Sequence, residues 1–138
     1  MNRTLVICKP DAVRRGLVGE IVGRIERKGL RPVALELRTI TVGVAAEHYA
    51  EHEGKPFYGD LIDFITGGPS VLLVVEGPAD TWKIVRTIIG PTNPAEAPAG
   101  TIRGDYGTVL TENLVHGSDG PQSAAREIGI FFPGLDFS

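Results

Sequence analysis

Val71-Leu72-Leu73-Val74-Val75, running into Glu76-Gly77-Pro78, is the stretch on which the fold turns. An unbroken run of β-branched residues and leucine, cut off by glycine and proline, reads as a central strand. Pro78–Ile89 then reads as a helix, with proline in its first turn and Gly90 just past its end. Toward the N-terminus, Val33, Leu35 and Leu37 alternate with Ala34, Glu36 and Arg38, the pattern of a strand with one wet face. Ahead of it, Val18, Ile21, Val22 and Ile25 recur at helical spacing across Val18–Lys28, and Gly29 suits the stop. Thr4-Leu5-Val6-Ile7-Cys8 is a short buried strand. Lys9-Pro10-Asp11 ends it, since proline leaves the ladder and Asp11 can cap the next segment.

Between the second and third strands, Val44–Glu53 and Tyr58–Thr66 read as two short helices around Gly54-Lys55-Pro56. Beyond Gly90 the chain enters a proline- and glycine-rich excursion to Gly107. Its 18 residues are too many for a passive connector, so function or disorder is expected there. Val109–His116 contains a last strand and Pro121–Phe131 a last helix. The order β-α-β-(αα)-β-α-β-α predicts an α+β fold, a ferredoxin-like split βαβ with a four-stranded antiparallel sheet backed by helices. Residues 1–138 are expected to form one domain, in keeping with their number.

Composition narrows the function classes. A net charge of −3 is too acidic for a surface that grips nucleic acid as a whole, so no dedicated nucleic-acid surface is expected. An anionic substrate must find its positive charge in one place. No apolar run approaches the ~20 residues of a membrane span, and a strand beginning by Thr4 leaves no room for a secretory leader. The lone Cys8 has no disulfide partner, and a reducing cytoplasm is the expected location.

Chemistry could come from three histidines. His48-Tyr49-Ala50-Glu51-His52 matches the H-x-x-E-H zinc pattern. A peptidase site would need a third ligand, and Glu47, Glu51 and Glu53 give this helix the look of a solvated face. His116 stands at a strand end, with Gly117-Ser118-Asp119 leading into a helix N-terminus whose free N–H groups favour an anion. Gly117 keeps the approach to it uncrowded. Glu127 borders the inward stripe of the last helix, where a carboxylate needs a partner. Arg86 leans inward from its helix, and Lys9 and Arg103 add cations near turns. No Walker-type phosphate loop is present: Gly54-Lys55 is followed by proline and lacks the upstream glycine spacing.

Asn113-Leu114-Val115-His116-Gly117-Ser118-Asp119 closely resembles the N-x-x-H-G-S-D hallmark of the nucleoside diphosphate kinase family. The likeness extends over essentially the whole chain. Thr4–Asp11 looks like the family's first strand with its Lys-Pro-Asp turn, and Glu51–Tyr58 like its nucleotide-lid region. Thr92-Asn93-Pro94 and Pro98–Asp105 fall where the family carries its long loop. Gly120, where a serine is usual, and Phe131, where a tryptophan is common, depart from the pattern without touching the expected chemistry.

The resemblance implies a ping-pong transfer from a nucleoside triphosphate to a nucleoside diphosphate. His116 would be the phosphate carrier, oriented by Glu127 through its distal ring nitrogen. Histidine suits this role, because its ordinary pKa of about 6.5 leaves a neutral, nucleophilic nitrogen at physiological pH. Lys9, Arg86, Thr92, Arg103 and Asn113 would hold phosphates and ribose, with Tyr49 and Ser118 beside the histidine. Phe57 would stack on the base, with Leu61 and Leu110 as apolar neighbours. Mg²⁺ would be held mainly by the nucleotide's phosphates and water, with no protein metal ligands. A homo-oligomer is implied, a hexamer in preference to a tetramer. Two alternatives stay open: a zinc metallopeptidase-like site at His48 and His52, and a non-catalytic ferredoxin-like ligand-binding module.

Overall fold

The computed structural model describes residues 2–135; Met1 and residues 136–138, the two ends of the expected domain, lie outside the described residues. Strands β1 (Asn2–Cys8), β2 (Arg31–Arg38), β3 (Ser70–Gly77) and β4 (Val115–Gly117) form one sheet in the order β2-β3-β1-β4. Every neighbouring pair is antiparallel. β1 and β2 are joined through helices α1 (Pro10–Arg14) and α2 (Val18–Arg27), and β3 lies between them. This is the expected split βαβ arrangement.

β3 is buried along its whole length because both of its faces are covered. Side chains alternate across a strand, so its apolar run divides between two cores. Val71, Leu73 and Val75, with Val6 and Cys8 of β1, pack with Ile21 and Ile25 of α2 and with Val85 and Ile89 of α5 (Thr81–Ile89). Leu72 and Val74, with Leu5 and Ile7, pack on the other face. There they meet residues of α3 (Val42–His48), α4 (Tyr58–Thr66) and α7 (Pro121–Phe131). Each fully buried leucine or isoleucine is worth about 1.5–3 kcal/mol.

The structure departs from the sequence reading at several places. On the edge strand β2, Leu35 and Leu37 remain 55% and 62% exposed, and no described element covers them. α5 starts at Thr81 rather than Pro78, because Asp80 takes a left-handed conformation (φ 60°) that breaks helical continuity. The final strand is only Val115–Gly117. Residues 109–112 close on themselves through a Val109–Glu112 bridge, and Leu114 (φ 74°) turns the chain just before the strand begins. α3 ends at His48, and His52 belongs to a separate 3₁₀ turn, so the two histidines do not share one helix.

Two short helices were not foreseen, α1 and α6 (Ile102–Tyr106). α6 gives the long excursion an ordered core. The Thr101 hydroxyl accepts from Gly104 N, Asp105 accepts from Gly100 N, and Arg24 reaches across to Asp105 at 2.7 Å.

Candidate active site

The site is assembled where β1 and β4 end side by side. β1 stops at Cys8, and Lys9 comes next with its amide donating to Leu114 O at 2.9 Å. Asp11 does not cap α1 as the sequence suggested. It lies within the first turn, and its carboxylate accepts from Leu114 N at 3.0 Å. Both polar groups of the strained Leu114 backbone are thereby satisfied, which fixes a conformation that leucine rarely takes. The turn delivers Asn113 to one side and His116 to the other.

Three cations converge here from three elements. Arg103 is almost wholly buried, and its guanidinium donates to the carbonyls of Gly90 (3.1 Å), Asn113 (3.1 Å) and Val115 (2.6 Å). Arg86 donates to Gly117 O at 2.8 Å from α5, and Lys9 donates to Asn113 Oδ1 at 2.9 Å. Asn113 Nδ2 in turn donates to Thr92 O at 3.0 Å. Lys9, Arg86, Thr92, Arg103, Asn113 and His116 line one pocket, together with Gly117.

Crowding the three cations has a price in protonation. Burial, then the positive charge of Arg103, lowers the Lys9 ammonium to about 8. Burial and the neighbouring Arg86 bring Arg103 down to about 10. An anion with several oxygens would relieve both.

His116 stands at the rim, with Nε2 2.8 Å from Glu127 Oε1, and the Ser118 hydroxyl donates to the same oxygen at 2.7 Å. Burial works to raise the Glu127 carboxyl, but the hydrogen bonds from His116 and Ser118 and the His116 charge outweigh it and hold it below the usual carboxylate range. Glu127 thus stays an acceptor. The imidazole is oriented by one nitrogen, and the other is left for chemistry. Cys8, the only thiol, is pushed up to about 12 by burial and is no rival nucleophile.

Gly117 has a different reason from the one read in the sequence. A Cβ there would meet Ile89 Cδ1 at 2.9 Å and Val85 Cγ1 at 3.4 Å, so glycine makes room for α5 behind the strand rather than for an incoming group. Tyr49 lines a second, adjoining cavity with His48, Arg86, His116 and Glu127. Phe57, Leu61 and Leu110 line neither cavity. Phe57 and Leu110 are 46% and 54% exposed, and the Phe57 ring lies 5.4 Å from that of His52.

Sequence reasoning offered His48 only as a zinc partner of His52 and missed its place beside His116. It was assigned to a solvated helix face, yet it is buried, and its ring meets that of His116 edge-on at 4.9 Å. Its place in front of Tyr49, itself expected beside His116, was the available signal. Asp11 was the other omission, visible only once Leu114 is seen to turn.

A split βαβ sheet whose strand ends gather an oriented histidine and three converging cations fits the class of α+β phosphotransferases. The sequence profile described as nucleoside diphosphate kinase matches residues 2–137. A nucleoside diphosphate kinase of Frankia casuarinae is 59% identical over 135 residues, 98% of each chain, and that of Archaeoglobus fulgidus is 58% identical over 96% of this chain and 87% of its own. Among solved structures, a halophilic nucleoside diphosphate kinase from Halobacterium salinarum in complex with CDP superposes with a TM-score of 0.93 at 48% identity, covering 99% of this chain and 93% of that one. The chain belongs to the nucleoside diphosphate kinase family. It is an enzyme that passes the terminal phosphoryl group of a nucleoside triphosphate to a nucleoside diphosphate.

Proposed function

We propose that the transfer proceeds in two halves through a phosphohistidine at His116. In the first, the ring nitrogen not engaged by Glu127 attacks the terminal phosphorus. The N–P bond forms, the bond to the bridging oxygen breaks, and the nucleoside diphosphate leaves with the bridging electrons. In the second, a different diphosphate attacks the same phosphorus and the N–P bond breaks. Phosphoryl transfer asks for in-line positioning and neutralised oxygens more than for acid–base chemistry. Lys9, Arg86 and Arg103 meet the second demand, and Glu127 with Ser118 meets the first by orienting the ring. The observation that carries this reading is the 2.8 Å His116–Glu127 contact at the edge of the cation-lined pocket.

Phe57, Leu61 and Leu110 are proposed as the base-binding residues, with Phe57 stacking, Tyr49 beside His116, and Thr92 and Asn113 on ribose and phosphate. Support for the first group is the exposed apolar surface of Phe57 and Leu110, with Leu61 half-buried.

The family's reaction depends on a divalent cation, and Mg²⁺ is proposed here. No carboxylate lines the pocket of Lys9, Arg86 and Arg103, so its donor set fits a hard cation that arrives on the nucleotide, coordinated by phosphate oxygens and water. Bound that way, the ion neutralises charge on the phosphates.

The whole chain is proposed to act as one domain in the cytoplasm, as a homo-oligomer, a hexamer in preference to a tetramer. Exposed Leu35 and Leu37 on the edge strand support an interface, and light scattering at several concentrations checks it. Incubation with γ-labelled ATP tests the chemistry. Label should stay on the protein, survive alkali, be lost in acid and be absent from His116→Ala. Acid-stable label, or label on that variant, overturns the reading.

A further inference from the structure

The reaction leaves one group unused. His48 is 6% exposed, and its Nδ1 is buried without a hydrogen-bond partner. Its ring stands perpendicular to that of His116, with centroids 4.9 Å apart, and is flanked by Tyr49 at 4.6 Å and Phe131 at 5.2 Å. One potential donor atom from each of His48, His116 and Glu127 lies within 4.8 Å of the other two.

We propose that His48, His116 and Glu127 form a binding site for a borderline transition-metal cation, Zn²⁺ being the representative. Two imidazoles and one carboxylate are the donor types that such an ion prefers, whereas Mg²⁺ prefers oxygen and retains its waters. A tetrahedral zinc with bonds of about 2.0–2.1 Å needs donors about 3.4 Å apart, so the widest pair must close by up to about 1.4 Å, and His116 Nε2 and Glu127 Oε1, 2.8 Å apart, must open by about 0.6 Å if both bind it. His48 Nδ1 breaks no hydrogen bond in moving. Water from the adjoining cavity, which His48, Tyr49, His116 and Glu127 line, can complete the coordination.

The binding stands on this geometry alone. Its consequence rests on His116 as the phosphate carrier: zinc on either nitrogen of His116 blocks transfer. On Nε2 it replaces the proton shared with Glu127 and undoes the orientation. On the other nitrogen it occupies the attacking atom. A phosphorylated His116 and a bound zinc would therefore exclude each other.

The test is titration of metal-free, untagged full-length protein with Zn²⁺ against a chromophoric chelator, with no nucleotide present. One equivalent is expected to bind. His48→Gln should weaken it by more than about 100-fold, because even partners outside the coordination shell are worth 10- to 100-fold. His52→Gln should leave it intact. In the wild type, the imidazole NMR signals of His48 and His116 should shift together at one equivalent while those of His52 stay, a readout that needs no variant to fold. Zinc held equally by His48→Gln, or shifts confined to His52, overturns the proposal. Zinc bound in the expected pattern while labelling by γ-labelled ATP continues undiminished upholds the metal site and removes His116 as the carrier.

Discussion

Lys9 and Asn113, 104 positions apart in the chain, are joined by a 2.9 Å hydrogen bond from Nζ to Oδ1 in the lining of the pocket they share with Arg86 and Arg103. The bond ties the end of β1 to the turn that precedes His116. It also fixes a lysine whose ammonium is lowered to about 8, first by burial and then by Arg103. Phosphate binding needs the charged form, so kcat/KM should fall as pH rises through about 8, approaching tenfold per unit. A flat profile to pH 9.5 would remove Lys9 from phosphate binding. Stability moves the other way. Between about 8 and 10.5 the unfolded chain keeps a proton that the folded chain has lost, so this group makes folding more favourable as pH rises there. Denaturant melts of wild type and Lys9→Met across that window should show the wild type gaining on the variant.

Glu127→Gln keeps the shape of the acceptor but replaces a carboxylate with a neutral amide. A charge-assisted hydrogen bond is worth about 1.5–3 kcal/mol. Single-turnover phosphorylation of His116 should slow by roughly 10- to 150-fold, at ten-fold per 1.36 kcal/mol. Unchanged phosphorylation with a lowered melting temperature would make Glu127 purely structural. Because the folded carboxyl is held below its usual range, its stabilising contribution is present above about 4.3 and is lost as pH falls through the folded value.

Asp11→Ala should damage the site without touching substrate. It strips the acceptor from the buried Leu114 amide, a loss of about 1–3 kcal/mol. Leu114 is then free to leave its left-handed conformation and carry Asn113 and His116 with it. A lower melting temperature together with slower phosphorylation is the expected pair. Full activity in a destabilised protein would show that the turn does not depend on Asp11.

The proposed base contacts offer apolar surface and no donor pattern, and stacking discriminates weakly because every base has a π-face. Efficiencies for adenine, guanine, cytosine and uracil diphosphates should fall within roughly two decades, about 2.8 kcal/mol. A preference near 10⁴-fold for one base would mean that hydrogen bonds read it.

The sequence by itself determined the order of the four strands and the longer helices, the central strand at residues 71–75 and the inward Glu127, because hydrophobic spacing is a local property that each segment carries with it. Resemblance in the Asn113–Asp119 segment supplied the family. Spacing could not show that β3 lies between β1 and β2, nor that Lys9, Arg86 and Arg103 point into one pocket. Those meetings depend on sheet order and on turns such as Leu114, whose left-handed backbone is imposed by Asp11 and Lys9 from 103 and 105 positions away. His48 shows the same limit. On its own helix its charged neighbours gave it a wet face, and only the packing of α3 against α7 buries it beside His116. Burial of this kind is decided by what lies across the interface, and a linear pattern carries no record of that.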